Sequence, residues 1–374
     1  MNTSYRIILL SVATCSLLWL SSCTSDSQSN EGSNFDRPAM LSNYASNAIV
    51  PAYVNLQQQV NQLQSATSTF ASDPDEANLN ALQNQLKAAR LAWQDANIFQ
   101  FGPAESVTLR SALNIYPPDS AKIESNIDSG DYTLGSIDNQ AAAGFPTVGY
   151  LVHGLGETSQ KIISFYTDSS DASARITYLQ DNISFMKQGI DATANEWQAS
   201  GDNYIAMFTS EENAGTDVGS SMSILINTMV QHYERFLRDG KIGIPAGVRS
   251  AGVPRPSATE AYYGGYSLEL AIANLEAIKR IFRGTGLNGT DGLGIEENLQ
   301  AQGAGDLSNE IITEIDQAIA ALEELNDPLA EQINTNNEPV LAAFQEMQDI
   351  VTLLKADMTS VLGITITYQD NDGD

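Results

Sequence analysis

The sequence is poor in the residues that most often carry catalysis and crosslinks. Its 374 residues include two cysteines, two histidines and 18 lysines and arginines, against 46 aspartates and glutamates. The resulting net charge of −28 disfavours nucleic acid and anionic lipid surfaces as partners. We find no glycine-rich phosphate loop, no serine nucleophile elbow and no basic groove for nucleic acid. The composition therefore favours an acidic globular protein, and its length favours two domains.

The N-terminus has the pattern of a secretory signal. Arg6 precedes the apolar run 7–20, which is too short for a comfortable transmembrane helix. Leu20-Ser21-Ser22-Cys23 resembles the cleavage site of bacterial lipoproteins, in which the cysteine becomes the lipidated N-terminus. We therefore predict a lipoprotein signal peptide over 1–22 and lipidation at Cys23, with an ordinary cleaved secretory peptide as the alternative.

The residues after this cysteine predict where the protein is held. A polar stretch rich in Ser, Asn and Asp predicts a flexible tether over 23–35. Thr24, in place of an aspartate, favours the outer membrane of a Gram-negative cell, with display on its periplasmic or cell-surface face. Because Cys15 is removed and Cys23 is lipidated, no disulfide is available to the mature chain.

Apolar residues recur every three or four positions through most of the remaining chain, which predicts an all-α fold. One stripe lies within 39–70 and a second within 75–101, and Asp73-Pro74-Asp75 breaks the helix between them, with Asp75 as the next N-cap. Such an antiparallel hairpin is the unit from which helical bundles are built. Further helices are predicted over 144–154, 173–198, 219–238, 268–283, 305–325 and 338–361.

Helix pairs occur in both halves of the chain. We predict an N-terminal helical domain over 36–200 and a C-terminal helical-bundle domain over 201–374, with an irregular region rich in glycine and proline at their interface. Gly240 is expected to end a helix, and 241–256 to be irregular because it contains three prolines. The segment 284–294, with five glycines, is either a mobile lid or a long surface connection.

The irregular segment also concentrates positive charge. Lys241, Arg249 and Arg255 lie in it, although the chain as a whole has few basic residues. Such a cluster either binds a carboxylate, a phosphate or another oxyanion, or pairs with acids across a domain interface.

Segments spread over nearly the whole chain resemble the imelysin family, also described as insulin-cleaving or iron-regulated lipoproteins. The segments that carry the resemblance are 44–53, 92–103, 242–247, 260–275, 362–367 and the acidic terminus 370–374. The resemblance implies two helical domains, one of them a four-helix bundle, with the functional site where they meet. It also implies a periplasmic or outer-membrane protein associated with iron uptake, in a family that carries a peptidase designation.

The chain departs from the family at the G-x-H-x-x-E motif on which that designation rests. The motif falls on residues 144–149, so that Gly144 matches the first glycine, Pro146 occupies the histidine position and Gly149 the glutamate position. Neither residue has a side-chain donor for a metal ion. His153 lies four residues before Glu157 and is the nearest substitute, although the glycines between them argue against one continuous helix.

Two functions remain open at this point. The first is a non-enzymatic, lipid-anchored binding component linked to iron uptake, with a ligand pocket at the domain interface and partner proteins of an uptake system. Its ligand is unidentified, with iron, an iron complex or another metal ion left open, and no cofactor is predicted. The second is a metal-dependent peptidase with a rearranged site that uses His153, Glu157 or Glu260.

The candidate pocket combines aromatic and charged residues from the irregular segments of both halves. In it, Arg249 is expected to pair with an anionic ligand or with Glu260. The predicted lining residues are Trp93, Phe101, Glu105, Tyr150, His153, Arg249, Ser250, Glu260, Tyr262 and Tyr263.

Overall fold

The computed structural model describes residues 35–369, and every regular element within that range is helical. This confirms the predicted fold class. The predicted signal peptide, the lipidation site Cys23, nearly all of the tether and the terminus 370–374 lie outside the described residues. Between residues 35 and 369, no helix combines the length and the apolar character needed to cross a bilayer.

The α-helices are numbered here in chain order. The first nine are α1 (Arg37–Asn43), α2 (Val50–Ser72), α3 (Glu76–Ala96), α4 (Pro103–Ser106), α5 (Leu109–Leu113), α6 (Ser120–Ser129), α7 (Gly144–Gly149), α8 (Ser159–Thr167) and α9 (Ala172–Trp197). The others are α10 (Tyr204–Phe208), α11 (Ser221–Gln231), α12 (Ile244–Ala246), α13 (Ser267–Phe282), α14 (Ile295–Ala301), α15 (Gly305–Glu323), α16 (Leu329–Thr335), α17 (Glu338–Thr352) and α18 (Thr359–Leu362).

Tighter and wider helical turns connect several of these elements. The wider π-helical segments are Tyr44–Ile49, Tyr150–Gly154, His232–Gly243 and Leu353–Met358. The tighter 3-10 segments are Ile137–Ala142, Glu211–Asn213 and Pro256–Ala258. Because π-helical turns occur often at functional sites, the residues that they carry are natural candidates for a binding role.

The predicted hairpin is formed by α2 and α3. Asp75 caps α3 as expected, since its carboxylate accepts a hydrogen bond from the backbone N–H of Asn78 at 2.7 Å. Leu56 of α2 and Leu82 and Leu86 of α3 are fully buried. Burial of each such leucine side chain contributes about 1.5–3 kcal/mol, so the apolar stripe stabilises the hairpin.

The hairpin lies at the centre of the described fold. Helix α9 packs on α2. Helix α13, from the predicted C-terminal half, packs on α3 and on α15. Helix α17 packs on α15 and on the π-helix His232–Gly243. As a result, α3 joins the helices of the two predicted halves, while the boundary near residue 200 stays a prediction.

The helix that begins at Ser221 is longer than expected, and the prediction that Gly240 ends it was wrong. It continues as the π-helix His232–Gly243 and then as α12, and it ends at Gly247, whose φ is +92°. Buried side chains of this segment, among them His232 and Lys241, hold it in place through tertiary contacts. The wider π turn also relieves the clash that a proline ring at 245 would make with the carbonyl four residues earlier.

The glycine-rich segment 284–294 is attached to the first helices. The Nδ2 of Asn43 donates to the carbonyl oxygens of Gly284 and Leu293 at 2.7 and 2.9 Å, and the N–H of Leu287 donates to the carbonyl of Asn47 at 2.8 Å. These bonds fasten both ends and the middle of the segment, which favours the surface connection over the lid.

Gly144 sets the start of the helix that contains the motif positions. Its φ is +82°, and its N–H donates to Oδ1 of Asn182 at 3.2 Å. A Cβ at this position would overlap the carbonyl oxygen of Leu113 at the end of α5. Only glycine therefore allows α7 to begin so close to α5.

We expect Gly144→Ala to lower the free energy of unfolding by more than about 2 kcal/mol, because backbone strain and steric overlap add. Gly130 provides a matched control, since its φ is +64° but a Cβ there would meet nothing within 4 Å. Gly130→Ala should cost only about 1 kcal/mol. Urea unfolding of both variants measures the difference, and equal losses would contradict the close approach of α7 to α5.

Candidate functional site

The motif positions lie inside the protein, on α7 and beside a cation. Pro146 and Gly149 are both buried. A Cβ at Gly149 would lie 3.5 Å from Nη1 of Arg90, which projects from α3. The position that matches the glutamate of the family motif therefore faces a guanidinium group.

Arg90 is itself almost completely buried, with 1% of its surface exposed. Its Nη2 donates to the backbone carbonyl of Glu260 at 2.5 Å, and its guanidinium carbon lies 5.7 Å from the centre of the Tyr266 ring. Its Nε is buried and has no hydrogen-bond partner among the described residues. Arg90 thus connects the motif helix to the segment that contains Glu260.

Glu260 and Lys241 form an ion pair in which both side chains are buried. Oε1 of Glu260 also accepts from Asn114 Nδ2 at 2.9 Å and from Gln94 Nε2 at 3.2 Å, and Lys241 Nζ donates to Gln94 Oε1 at 2.8 Å. Burial alone would raise the pKa of the Glu260 carboxyl. The nearby charges of Lys241 and Arg90 outweigh that effect and hold the pKa below its ordinary value, so the group is a carboxylate at neutral pH.

His232 extends this polar cluster toward α5. Its Nε2 lies 2.8 Å from Oδ1 of Asn274, whose Nδ2 donates to the carbonyl of Gln94 at 2.7 Å. Since that amide oxygen can only accept, His232 carries its proton on Nε2, and Nδ1 accepts from Nη2 of Arg110 at 3.1 Å. Burial and the charge of Arg110 lower the pKa of His232 well below its ordinary value, so the ring is a neutral structural link.

Four of the predicted site residues lie near this cluster, around the second π-helix. The ring of Tyr150 lies 5.3 Å from that of Tyr263, which in turn lies 5.1 Å from Tyr262. The ring of His153 lies 6.4 Å from that of Tyr266, the residue beside Arg90. Together with Glu260, these residues come from both predicted halves of the chain.

His153 is a neutral histidine in this structure. Burial, with a further contribution from the charge of Arg90, lowers the pKa of His153 to about 4. Its Nε2 is buried without a hydrogen-bond partner among residues 35–369. Glu157, the predicted second ligand, lies in an exposed turn after the π-helix has ended.

Two of the predicted aromatic lining residues, Trp93 and Phe101, belong to the apolar core. Trp93 is fully buried in α3. Phe101 is 3% exposed and packs at 5.9 Å from the ring of Trp197 and 5.7 Å from that of Phe208. Glu105 is exposed on α4.

Arg249 and Ser250 lie on a separate surface turn. The guanidinium of Arg249 pairs with the carboxylate of Asp239 at 2.7 Å, and Glu260 has Lys241 as its partner. The expected pairing of Arg249 with Glu260 was therefore wrong, because Lys241 projects from a helix that sequence patterns did not predict. Ser250 Oγ donates to the carbonyl of Val253 at 2.5 Å, which holds the turn together.

Two cavities have lining side chains that differ in charge. One, of about 370 Å³, is lined by residues between Val107 and Ala192, and none of its lining side chains is charged. The other, of about 410 Å³, lies beside the polar cluster and includes Asn114 together with Tyr116, Arg235 and Arg255. Asn114 joins this second cavity to Glu260.

Few sequence features predicted the buried polar residues. Arg90 and Gln94 lie one turn apart on α3, next to the apolar stripe that contains Leu86 and Trp93. A cation at the edge of such a stripe, in a chain with few basic residues, was the signal that could have identified Arg90. Asn114 and Asn274 carry no comparable pattern.

Between residues 35 and 369 the protein is all-α, and a cluster of buried polar and charged side chains joins α3, α13 and the π-helix His232–Gly243. The model of the imelysin family, designated peptidase M75, matches residues 49–356. The chain belongs to the imelysin family, as its sequence resemblance implied.

Known proteins with related sequences and folds agree with this assignment. Iron-regulated protein A of Synechococcus elongatus is 32% identical over 79 residues, which cover 21% of this chain and 22% of that protein. The match thus spans about a fifth of the length of that curated relative.

Two solved structures share the fold. A Parabacteroides distasonis protein assigned as an iron-regulated protein A precursor has a TM-score of 0.72 at 18% identity, with 87% of this chain and 95% of that chain covered. An imelysin-like protein from Psychrobacter arcticum has a TM-score of 0.64 at 16% identity, with coverage of 89% and 97%.

We expect Lys241→Met to lower the free energy of unfolding by about 3–5 kcal/mol, because it leaves the Glu260 carboxylate buried without its partner. The double variant Lys241→Met/Glu260→Gln removes both charges and should lose less stability than Lys241→Met alone. Urea unfolding at neutral pH measures both.

Lys187→Met is the matched control for this experiment. Lys187 pairs with Asp191 one turn away on α9, and both side chains are partly exposed. Its replacement should change the free energy of unfolding by no more than about 0.5 kcal/mol. A double variant that loses as much stability as Lys241→Met alone, or more, would contradict the buried pair.

Proposed function

We propose that this chain is a non-enzymatic, lipid-anchored binding protein linked to iron uptake, with its ligand pocket between the two predicted helical halves. The observation that carries the proposal is the replacement of the two metal donors of the family motif by residues without donors, next to an arginine. Pro146 and Gly149 supply no donor, and Arg90 occupies the space that Gly149 faces.

The residues at the motif do not fit the metal site that the peptidase designation implies. A divalent metal is bound by imidazole, thiolate or carboxylate groups, and a neighbouring guanidinium opposes its charge. Among residues 35–369, no three His, Cys, Asp or Glu side chains are grouped so that they could hold a metal ion. We therefore derive no hydrolytic step at this position.

The rearranged peptidase site has no comparable support. Its three proposed residues differ in environment and do not form one site. Glu260 is paired with Lys241, His153 is neutral and partly buried, and Glu157 is exposed. A general base must reach the water that it activates, and a carboxylate held in a buried ion pair is not free to do so.

The link to iron and the membrane rests on relatives and on the N-terminal sequence. Two of the related proteins bear the name iron-regulated protein A. The pattern ending at Cys23 supports a lipid anchor, and Thr24 supports retention at the outer membrane. The partners would then be a small ligand and other proteins of the uptake system.

We expect the full-length protein, purified in detergent without chelator, to contain no stoichiometric zinc or iron and to leave insulin and casein uncleaved. The reason is the absence of donors at Pro146 and Gly149. Elemental analysis and a chelator-controlled cleavage assay measure both properties. Stoichiometric metal together with chelator-sensitive cleavage would overturn the proposal.

The variant Pro146→His/Gly149→Glu is the comparison for that experiment, since it reintroduces the two family donors. We expect it to take up more zinc than the unaltered chain. Gly149→Glu alone should not, because it supplies only one of the two family donors.

We expect the unaltered chain to incorporate labelled fatty acid when it is expressed in a Gram-negative cell, and Cys23→Ser to incorporate none. Cys15→Ser is the matched control and should be labelled normally, because Cys15 lies in the part that is removed. Mass spectrometry of the N-terminal peptide locates the lipid. An unlabelled wild-type chain would refute the anchor.

A further inference from the structure

The cavity of about 410 Å³ beside the polar cluster is built from both predicted halves of the chain. Its lining consists of residues 114–117 and of six residues between Arg235 and Ala258. Its lining combines an aromatic wall, Phe236, with two arginines and the polar side chains of Asn114 and Tyr116. No acidic side chain lines it. Its volume is within the range of small-molecule sites.

No acidic side chain among the described residues neutralises the two arginines of the lining. Neither Arg235 nor Arg255 forms an ion pair, or a hydrogen bond from its guanidinium, with another of residues 35–369. Arg235 is half-buried, its Nε has no partner, and its charged group lies 5.7 Å from the centre of the Tyr368 ring. In a chain with a net charge of −28, such a pair of arginines is unusual.

A third cation lies behind the aromatic wall. The guanidinium carbon of Arg110 is 3.7 Å from the centre of the Phe236 ring. Its hydrogen-bond partners are the side chain and carbonyl of Asn97 and the neutral ring of His232. Burial lowers the pKa of Arg110 to about 9, so it still carries its charge at neutral pH.

The acid that is hydrogen-bonded to the lining residue Asn114 is already engaged. Asn114 donates its Nδ2 to Glu260, whose carboxylate is paired with Lys241. Arg90 donates to a backbone carbonyl and adds a further positive charge. Arg110 and Arg235 are half-buried, whereas Arg255 is exposed. Buried or half-buried cations are normally matched by anions, and no acidic side chain among residues 35–369 pairs with any of these three arginines.

We propose that this cavity binds a small organic anion with two or more carboxylate groups. Arg235 and Arg255 would each hold one carboxylate in the forked geometry that guanidinium groups favour, and Phe236 would pack against the carbon frame. The O–H of Tyr116 adds a neutral donor to the same lining. This inference rests on the proposed binding function and names the class of its ligand, which includes hydroxycarboxylates able to chelate ferric iron.

The test is calorimetric titration of the full-length protein with citrate and, separately, with inorganic phosphate. We expect saturable binding of citrate at one site and much weaker binding of phosphate, which lacks a frame to contact Phe236. Arg235→Gln and Arg255→Gln should each weaken citrate binding by about tenfold or more. Arg249→Gln is the matched control, since Arg249 pairs with Asp239 and does not line the cavity. The affinity of this variant for citrate should stay within about twofold of that of the unaltered protein.

Three results would overturn the inference. These are an absence of citrate binding, an unchanged affinity in the Arg235→Gln/Arg255→Gln variant, and binding of phosphate as tight as that of citrate. Urea unfolding of each variant verifies that the fold is intact. If citrate fails to bind and no metal-dependent cleavage occurs, this inference falls while the proposed binding function stands. Metal-dependent cleavage would refute the proposed function regardless of citrate binding.

Discussion

The buried ion pair between Lys241 and Glu260 is the constraint on which the centre of the molecule depends. Two charges removed from water are tolerated only when each is paired and hydrogen-bonded, and here Gln94 and Asn114 provide the remaining bonds. The pair therefore determines how three separate parts of the chain meet: helix α3, the end of α5 and the π-helix His232–Gly243. It also aligns the backbone at residue 260, whose carbonyl accepts from Arg90. The other polar side chains of the centre are arranged around this contact.

That arrangement explains why loss of the family motif is compatible with a well-packed structure. In this chain the space near Gly149 belongs to Arg90, and Arg90 is held by the carbonyl of Glu260. The local charge is positive, and it extends through Arg110 to the cavity lined by Arg235 and Arg255. A centre of this charge attracts anions and repels free metal cations.

Most of the helices could be predicted from sequence because their apolar spacing is local. The stripes of α2 and α3, the cap at Asp75 and the helix at Gly144 were confirmed on this basis. The failure at Gly240 has a physical cause. Glycine commonly ends a helix when nothing else holds the chain. Here buried His232 and Lys241 lie on either side of Gly240 and are hydrogen-bonded to α13 and α3, respectively. Tertiary contacts thus outweighed the local preference.

The sequence by itself determined the all-α fold, the family and the absence of metal donors at Pro146 and Gly149. Only the tertiary structure decided which charged groups neutralise one another. It paired Glu260 with Lys241, left Arg249 with Asp239, and placed Trp93 and Phe101 in the apolar core. The reason is distance along the chain: Arg90 and Glu260 are 170 residues apart and Gln94 and Asn274 are 180 apart. Helical periodicity repeats within a few residues, whereas ion pairing depends on how whole helices are packed together.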